Sequence, residues 1–117
     1  TIPLEAESRD FVFSNAVFSH ILFADAQNYL DEAARLLRRG GQLYVSFRCH
    51  DHLPVERRNR YTFYGDDGVY VLEPDRPEKD VAFGESLFRR MLLEAGFEEP
   101  SFNWSAPLGH SVTARKP

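Results

Sequence analysis

Four histidines and one cysteine carry most of the proton-transfer and metal chemistry available to these 117 residues. Three of the five stand together in Cys49-His50-Asp51-His52. If extended, that stretch puts His50 and His52 on one side and turns Asp51 away. A metal centre needs three or four convergent ligands, and no second pair with ligand spacing follows, so no metal is expected and a polar loop lining the mouth of a site is the plainer reading. A Cys49-His50 nucleophile is disfavoured because sequence neighbours rarely face each other productively. Further on, Arg57, Arg58 and Arg60 in "ERRNR" offer either a clamp for an anionic substrate group or a solvated charge run. The rings of Tyr61, Phe63, Tyr64 and Tyr70 serve either to pack over a planar acceptor or to bury their own segment.

The elements that must position these groups are legible in the apolar pattern. Phe11-Val12-Phe13, between a charged stretch and small polar residues, predicts a buried strand ending near Ser14. From Asp25 onward Leu30, Ala33, Ala34 and Leu37 recur at helical spacing, predicting an amphipathic helix of about fifteen residues with Asp25 as its N-cap. Asp31 stands four residues before Arg35, Arg38 and Arg39 suit the negative end of the helix dipole, and Gly40 supplies a left-handed stop. Gln42 to Phe47 then reads as a strand with Leu43, Val45 and Phe47 on one side and Tyr44 on the other. A phosphate-cradling glycine loop precedes a helix; Gly40-Gly41 follows one, so it is punctuation.

Strand, helix and strand in that order make a right-handed parallel crossover, and Val12 and Val45 are expected on adjacent parallel strands. Ligands of such sheets gather beyond the carboxyl ends of the strands, which marks Ser14–His20 and Arg48–His52 as functional ground. Residues 48–82 read as an insertion: a hairpin turning at Gly65-Asp66-Asp67-Gly68, then the extended polar connection "EPDRPEKD". Residues 83–117 hold a second helix, striped by Leu87, Phe88, Met91, Leu92 and Ala95 and stopped by Gly96, followed by a terminal hairpin of "SFNWS" and "HSVTAR" about Ala106-Pro107-Leu108-Gly109.

Length allows a single domain over residues 1–117, with residues 1–47 as its strand-helix-strand unit. Apolar content of 43 % and charged content of 27 % are ordinary for a folded chain. A formal net charge of −4 gives no broad positive field, so nucleic acid is not an expected partner. No apolar run reaches membrane-spanning length and no basic-then-apolar leader is visible, so no membrane is expected. A lone Cys49 cannot form an internal disulfide, which fits a reducing cytoplasm. The start at Thr1, without methionine and close to a strand, suggests a fragment.

The ordered stretches "IPLEAESRDFVFSNAVFSHI", "YLDEAARLLRRGGQLYVSF" and "LFRRMLLEAGF", the last followed by two short strands, resemble the C-terminal half of a class I S-adenosylmethionine-dependent methyltransferase. The resemblance implies a Rossmann-like three-layer α/β sandwich fragment with a mixed sheet: the family's fourth and fifth strands parallel, then a C-terminal antiparallel pair with the seventh strand next to the fifth. It implies that the glycine loop and acidic residues holding most of the cofactor belong upstream of Thr1. Ser14, Asn15 and Ala16 would border the methionine end of S-adenosylmethionine. His20 would be the best-placed base, since imidazole titrates near neutrality, although a lone histidine at such a turn also serves as a structural hydrogen-bonder. Phe18, His50, His52, Arg57 and Tyr61 would face the acceptor. Asn15-Ala16-Val17-Phe18 lacks the two prolines of base-amine methyltransferases, so a small-molecule acceptor is implied. Strand 11–13 would be a bare edge, covered by the missing N-terminal half or by a second copy. The competing reading is a non-catalytic α/β interaction module that dimerises through that edge.

Overall fold

Side-chain alternation decides what each strand buries. In the computed structural model, which describes residues 3–65, 68–104 and 110–117, strand β1 (Arg9–Ser14) turns Val12 and Ser14 toward the core and leaves Phe11 and Phe13 55 % and 58 % exposed. Helix α1 (Phe23–Leu36) crosses over to β2 (Leu37–Phe47), which buries Leu43, Val45 and Phe47 on the same side as Val12. The two strands are adjacent and parallel, Val12 opposite Leu43 and Ser14 opposite Val45.

Beyond β2 a short helix, α2 (Val55–Arg58), leads into a separate antiparallel sheet. Its strands are β3 (Thr62–Tyr64), β4 (Val69–Val71) and β5 (Val81–Phe83), in that spatial order. Helix α3 (Glu85–Ala95) follows, stopped by Gly96 at φ 104°. Strands β6 (Ser101–Asn103) and β7 (His110–Arg115) then complete a four-stranded sheet of order β1-β2-β7-β6, with β7 antiparallel to both neighbours. This is the expected mixed α/β architecture. Helices α1 and α3 pack on each other and over Leu43, Val45, Val112 and Ala114. Of the three layers of the sandwich, the described residues supply the sheet and this one helical layer.

Four rings tie the pieces together. Phe88 of α3, fully buried, stacks on Phe47 at 4.2 Å and meets Phe18 and Phe83 edge-on, each at 5.4 Å. Strand β2, the turn after β1, the insertion sheet and α3 therefore share one aromatic centre.

Several expectations need correction. The first strand is not buried on both sides, because no described element covers the face carrying Phe11 and Phe13. Helix α1 starts earlier than expected, with Leu22 as its N-cap and Asp25 inside the first turn. It also stops earlier: Leu37 is already extended, and Arg38, Arg39 and Gly40 lie in β2. Pairing explains this, since Arg9 stands opposite Leu37 but Phe11 opposite Gln42, so residues 38–41 bulge out of the ladder. The bulge is held by the chain end, Gly40 N–H donating to the Lys116 carbonyl at 2.7 Å and Lys116 N–H to the Gly41 carbonyl at 2.9 Å. Arg35 pairs with Glu32, while Asp31 accepts from Gln27. The connection over residues 73–80 contains a 3-10 turn at Pro77–Lys79 and delivers β5, a third strand added to the expected hairpin. Asp66 and Asp67 of the first turn, and the Ala106–Gly109 turn, lie outside the described residues.

The bulge makes the two glycines unequal. A Cβ at Gly41 would sit 2.8 Å from the Arg38 carbonyl oxygen and 3.1 Å from that of Asp10, whereas one at Gly40 would only touch Arg115 Nη2 at 3.7 Å but would sit on a backbone with a φ of +82°. Gly41→Ala is expected to cost about 2–3 kcal/mol through steric displacement of backbone. Gly40→Ala should cost about 1 kcal/mol through its left-handed conformation. Urea unfolding of the two variants checks this order.

Candidate functional site

The carboxyl ends of the parallel strands β1 and β2 and the first residue of antiparallel β7 meet at one end of the sheet, around a cavity of about 360 Å³. One hydroxyl organises its floor. Ser46, on the face of β2 opposite Leu43 and Val45, donates to Asn15 Oδ1 at 2.8 Å and accepts from the Ala16 N–H at 2.9 Å. This bond holds Ala16 at φ 66°, a left-handed conformation unusual for a residue with a Cβ. The adjacent Ser14 hydroxyl is buried and has no hydrogen-bond partner among the described residues.

Arg48 forms the wall at the end of β2. Its guanidinium donates to Tyr61 Oη at 3.1 Å and forms an ion pair with Asp80. Burial opposes the Arg48 charge, but Tyr61 and Asp80 outweigh it and keep its pKa above the ordinary value. Burial likewise raises the Tyr61 phenol.

His110 stands at the opposite wall. Its Nδ1 accepts the Cys49 N–H at 2.9 Å, so the proton of the neutral ring belongs on Nε2. Burial lowers its pKa, and electrostatic interaction with His52, Arg48 and Arg57 lowers it further. Cys49 itself is fully buried and its thiol is pushed up to about 12 by that burial, an inert group and not a nucleophile.

The structure separates the site residues expected from sequence. Asn15, Ala16 and Arg57 line the cavity, and Ser14 lies just behind them, turned toward the core. Phe18 is fully buried and belongs to the aromatic centre, away from the cavity wall. His20 is not among the cavity-lining residues; its Nδ1 lies 3.2 Å from the Glu78 carbonyl. His50 stacks on Tyr70 at 3.6 Å, and its pKa is lowered chiefly by burial. His52 stacks on Trp104 at 3.8 Å and bonds Glu85 at 2.9 Å, while Asp51 accepts the Glu85 N–H at the start of α3. Tyr61 is spent on Arg48. Ser46 and His110 escaped sequence reasoning. The signal for His110 was topological: a last strand antiparallel to β2 must begin where β2 ends.

A family model described as a methyltransferase domain matches residues 1–45, from the entry to β1 into β2. An S-adenosylmethionine-dependent methyltransferase from Methanosarcina mazei superposes with a TM-score of 0.70 at 19 % identity, over 99 % of this chain and 63 % of its own. Human N-acetylserotonin methyltransferase, solved with S-adenosylmethionine, gives 0.71 at 17 % identity over 99 % of this chain and 31 % of its own. The chain carries part of a class I methyltransferase fold. The Burkholderia thailandensis 1,6-didemethyltoxoflavin-N1-methyltransferase, solved with that acceptor and S-adenosylhomocysteine, gives 0.57 at 23 % identity over 97 % of this chain and 47 % of its own. The chain thus spans less than two thirds of each of these methyltransferases. The sheet order β1-β2-β7-β6 is the one the resemblance implied for the family's fourth, fifth, seventh and sixth strands. Among the described residues no helix is long and apolar enough to cross a membrane.

The His110 bond predicts a pH dependence. Protonating Nδ1 must break the bond from Cys49, so the folded state binds that proton less readily than the unfolded chain does. Stability is therefore full above the ordinary histidine value of 6.5 and falls as pH drops from there through the lowered folded value. Nitrogen-15 NMR of the ring should show the Nε2–H form and a midpoint below 6.5. His110→Gln should flatten the stability profile in that window.

Proposed function

We propose that this chain is the acceptor-side part of an S-adenosylmethionine-dependent methyltransferase acting on a small molecule. The observation that carries the reading is the crevice itself: a parallel β1-β2 pair whose carboxyl ends, with the start of β7, border an open cavity of small-ligand size. The residues present suit the methionine end of the cofactor. Asn15 has its Oδ1 occupied by Ser46, which leaves its Nδ2 hydrogens as donors for a carboxylate, and the main chain of Ser14–Ala16 is fixed beside it. When bound, S-adenosylmethionine supplies an activated methyl group on a sulfonium.

Methyl displacement asks the protein chiefly for proximity, orientation and a dry site. Phe47, Leu53 and Pro54 give the cavity an apolar wall, and Ser46 and Arg48 hold its floor and rim in place. His110 serves as a hydrogen-bond donor, since its basic nitrogen is engaged by Cys49. His20, outside the lining, does not deprotonate the acceptor in this reading. The remainder of the cofactor is held by polypeptide beyond this chain, which also covers the exposed Phe11 and Phe13. The buried free thiol of Cys49 suits a reducing cytoplasm. The same exposed rings favour a second reading, a module that pairs with itself through β1 and binds no cofactor.

Calorimetric titration with S-adenosylmethionine separates the two. The polypeptide encoded by the whole gene should bind in the micromolar range, the 117-residue chain far more weakly, and Asn15→Ala in the former should weaken binding about tenfold. No binding by either form, together with a stable dimer abolished by Phe13→Lys, would establish the second reading instead.

A further inference from the structure

The cavity is electropositive in an acidic chain. Among the described residues its lining holds Arg48, Arg57 and His110 and no aspartate or glutamate, against a formal net charge of −4 for the whole. The two arginines differ in what they have left to offer. Arg48 is neutralised by Asp80, whereas Arg57, exposed near the end of α2, has no ion-pair partner among the described residues. His110 adds a neutral donor, because its Nδ1 is held by the Cys49 N–H and its hydrogen lies on Nε2. Phe47, Leu53 and Pro54 give one side of the wall apolar surface, while Asn15, Ser19 and Ser46 add uncharged polar groups on the other.

We infer that this cavity takes a small ligand with an apolar body and a carboxylate head, the carboxylate bound by the Arg57 guanidinium and the Nε2–H of His110. A single uncompensated positive charge beside a neutral donor matches a monoanion better than a phosphate dianion. The planar guanidinium fork fits two carboxylate oxygens, and charge assistance makes such bonds stronger than neutral ones. Taken with the methyltransferase reading, on which this identification of the ligand rests, the carboxylate belongs to the methyl acceptor. The cofactor has a carboxylate of its own, but Asn15 stands ready for it on the β1 side of the cavity.

Benzoate and benzamide, alike in shape and different in charge, are the probes. In NMR titrations of the 117-residue chain, benzoate should shift the Ser46, Cys49 and His110 signals and bind about tenfold more tightly than benzamide. Arg57→Gln, a change at an exposed position, should remove that preference, and His110→Phe should reduce it. Equal binding of the two probes, binding of neither, or a preference untouched by Arg57→Gln would overturn the inference. A parallel titration of the whole-gene polypeptide with S-adenosylhomocysteine identifies the source of the carboxylate. Unchanged affinity in Arg57→Gln supports the acceptor, and a loss confined to S-adenosylhomocysteine overturns it in favour of the cofactor. If that polypeptide binds no S-adenosylhomocysteine while the benzoate preference persists, methyl transfer fails alone and the carboxylate site stands.

Discussion

Parallel pairing of β1 with β2 is the constraint from which the site follows. Two parallel neighbours end on the same side of the sheet, so the turn at Asn15-Ala16 and the exit at Arg48 are brought together although they lie about thirty residues apart in sequence. Had the strands run antiparallel, Ser46 would stand beside the start of β1 and could not hold that turn. The same logic reversed places His110. Because β7 is antiparallel to β2, its first residue lies opposite Phe47, at the cavity, while Lys116, just past its end, braces the bulge at Gly40 and Gly41.

The insertion is fixed to this frame by two different kinds of force. The Phe47–Phe88–Phe83–Phe18 cluster binds it through apolar burial, which is strong and has little directionality. The Arg48–Asp80–Tyr61 group adds direction. A partly buried ion pair repays little of its desolvation as net stability, but a misplaced insertion would leave Arg48 charged and unpaired at the cavity rim. The Phe83 N–H donating to the Arg48 carbonyl at 2.8 Å sets β5 against the same residue. Packing brings the insertion near, and these polar bonds decide its register.

What the sequence revealed follows from where its periodicity is strong. The β1-α1-β2 unit, the stripe of α3 with its Gly96 stop, and the terminal hairpin all have enough turns or alternations to be read locally. Val81–Phe83 is three residues long and buried throughout, so it has no alternation to detect. The end of α1 was misplaced because helical spacing continues through Leu37, and only pairing with β1 draws that residue into a strand. The site was legible at the level of strand ends, which located Asn15, Ala16 and Arg48. It was not legible at the level of individual histidines. His20, His50 and His52 find partners in a carbonyl, a tyrosine ring, and a tryptophan and glutamate brought from distant segments. His110 gains its position from a register that no local pattern encodes.

The open face of the main sheet carries its own gradient. Phe11 and Phe13 stand exposed on β1, and Phe13 stacks on Tyr44 of β2 at 5.2 Å with the rings 6° apart. Farther across, Thr113 of β7 and Ser101 of β6 take the corresponding positions and are exposed and polar. Apolar surface left in water is costly in proportion to its area, so the drive to cover this face is concentrated at β1 and fades toward β6. In the methyltransferase reading that gradient is what the architecture requires. The β1 edge is where the sheet continues, and cover is needed over the junction, whereas the terminal hairpin can remain in solvent. In the same reading the cover draws toward β1 and away from the Arg57 and His110 side of the crevice, which is left as the entrance.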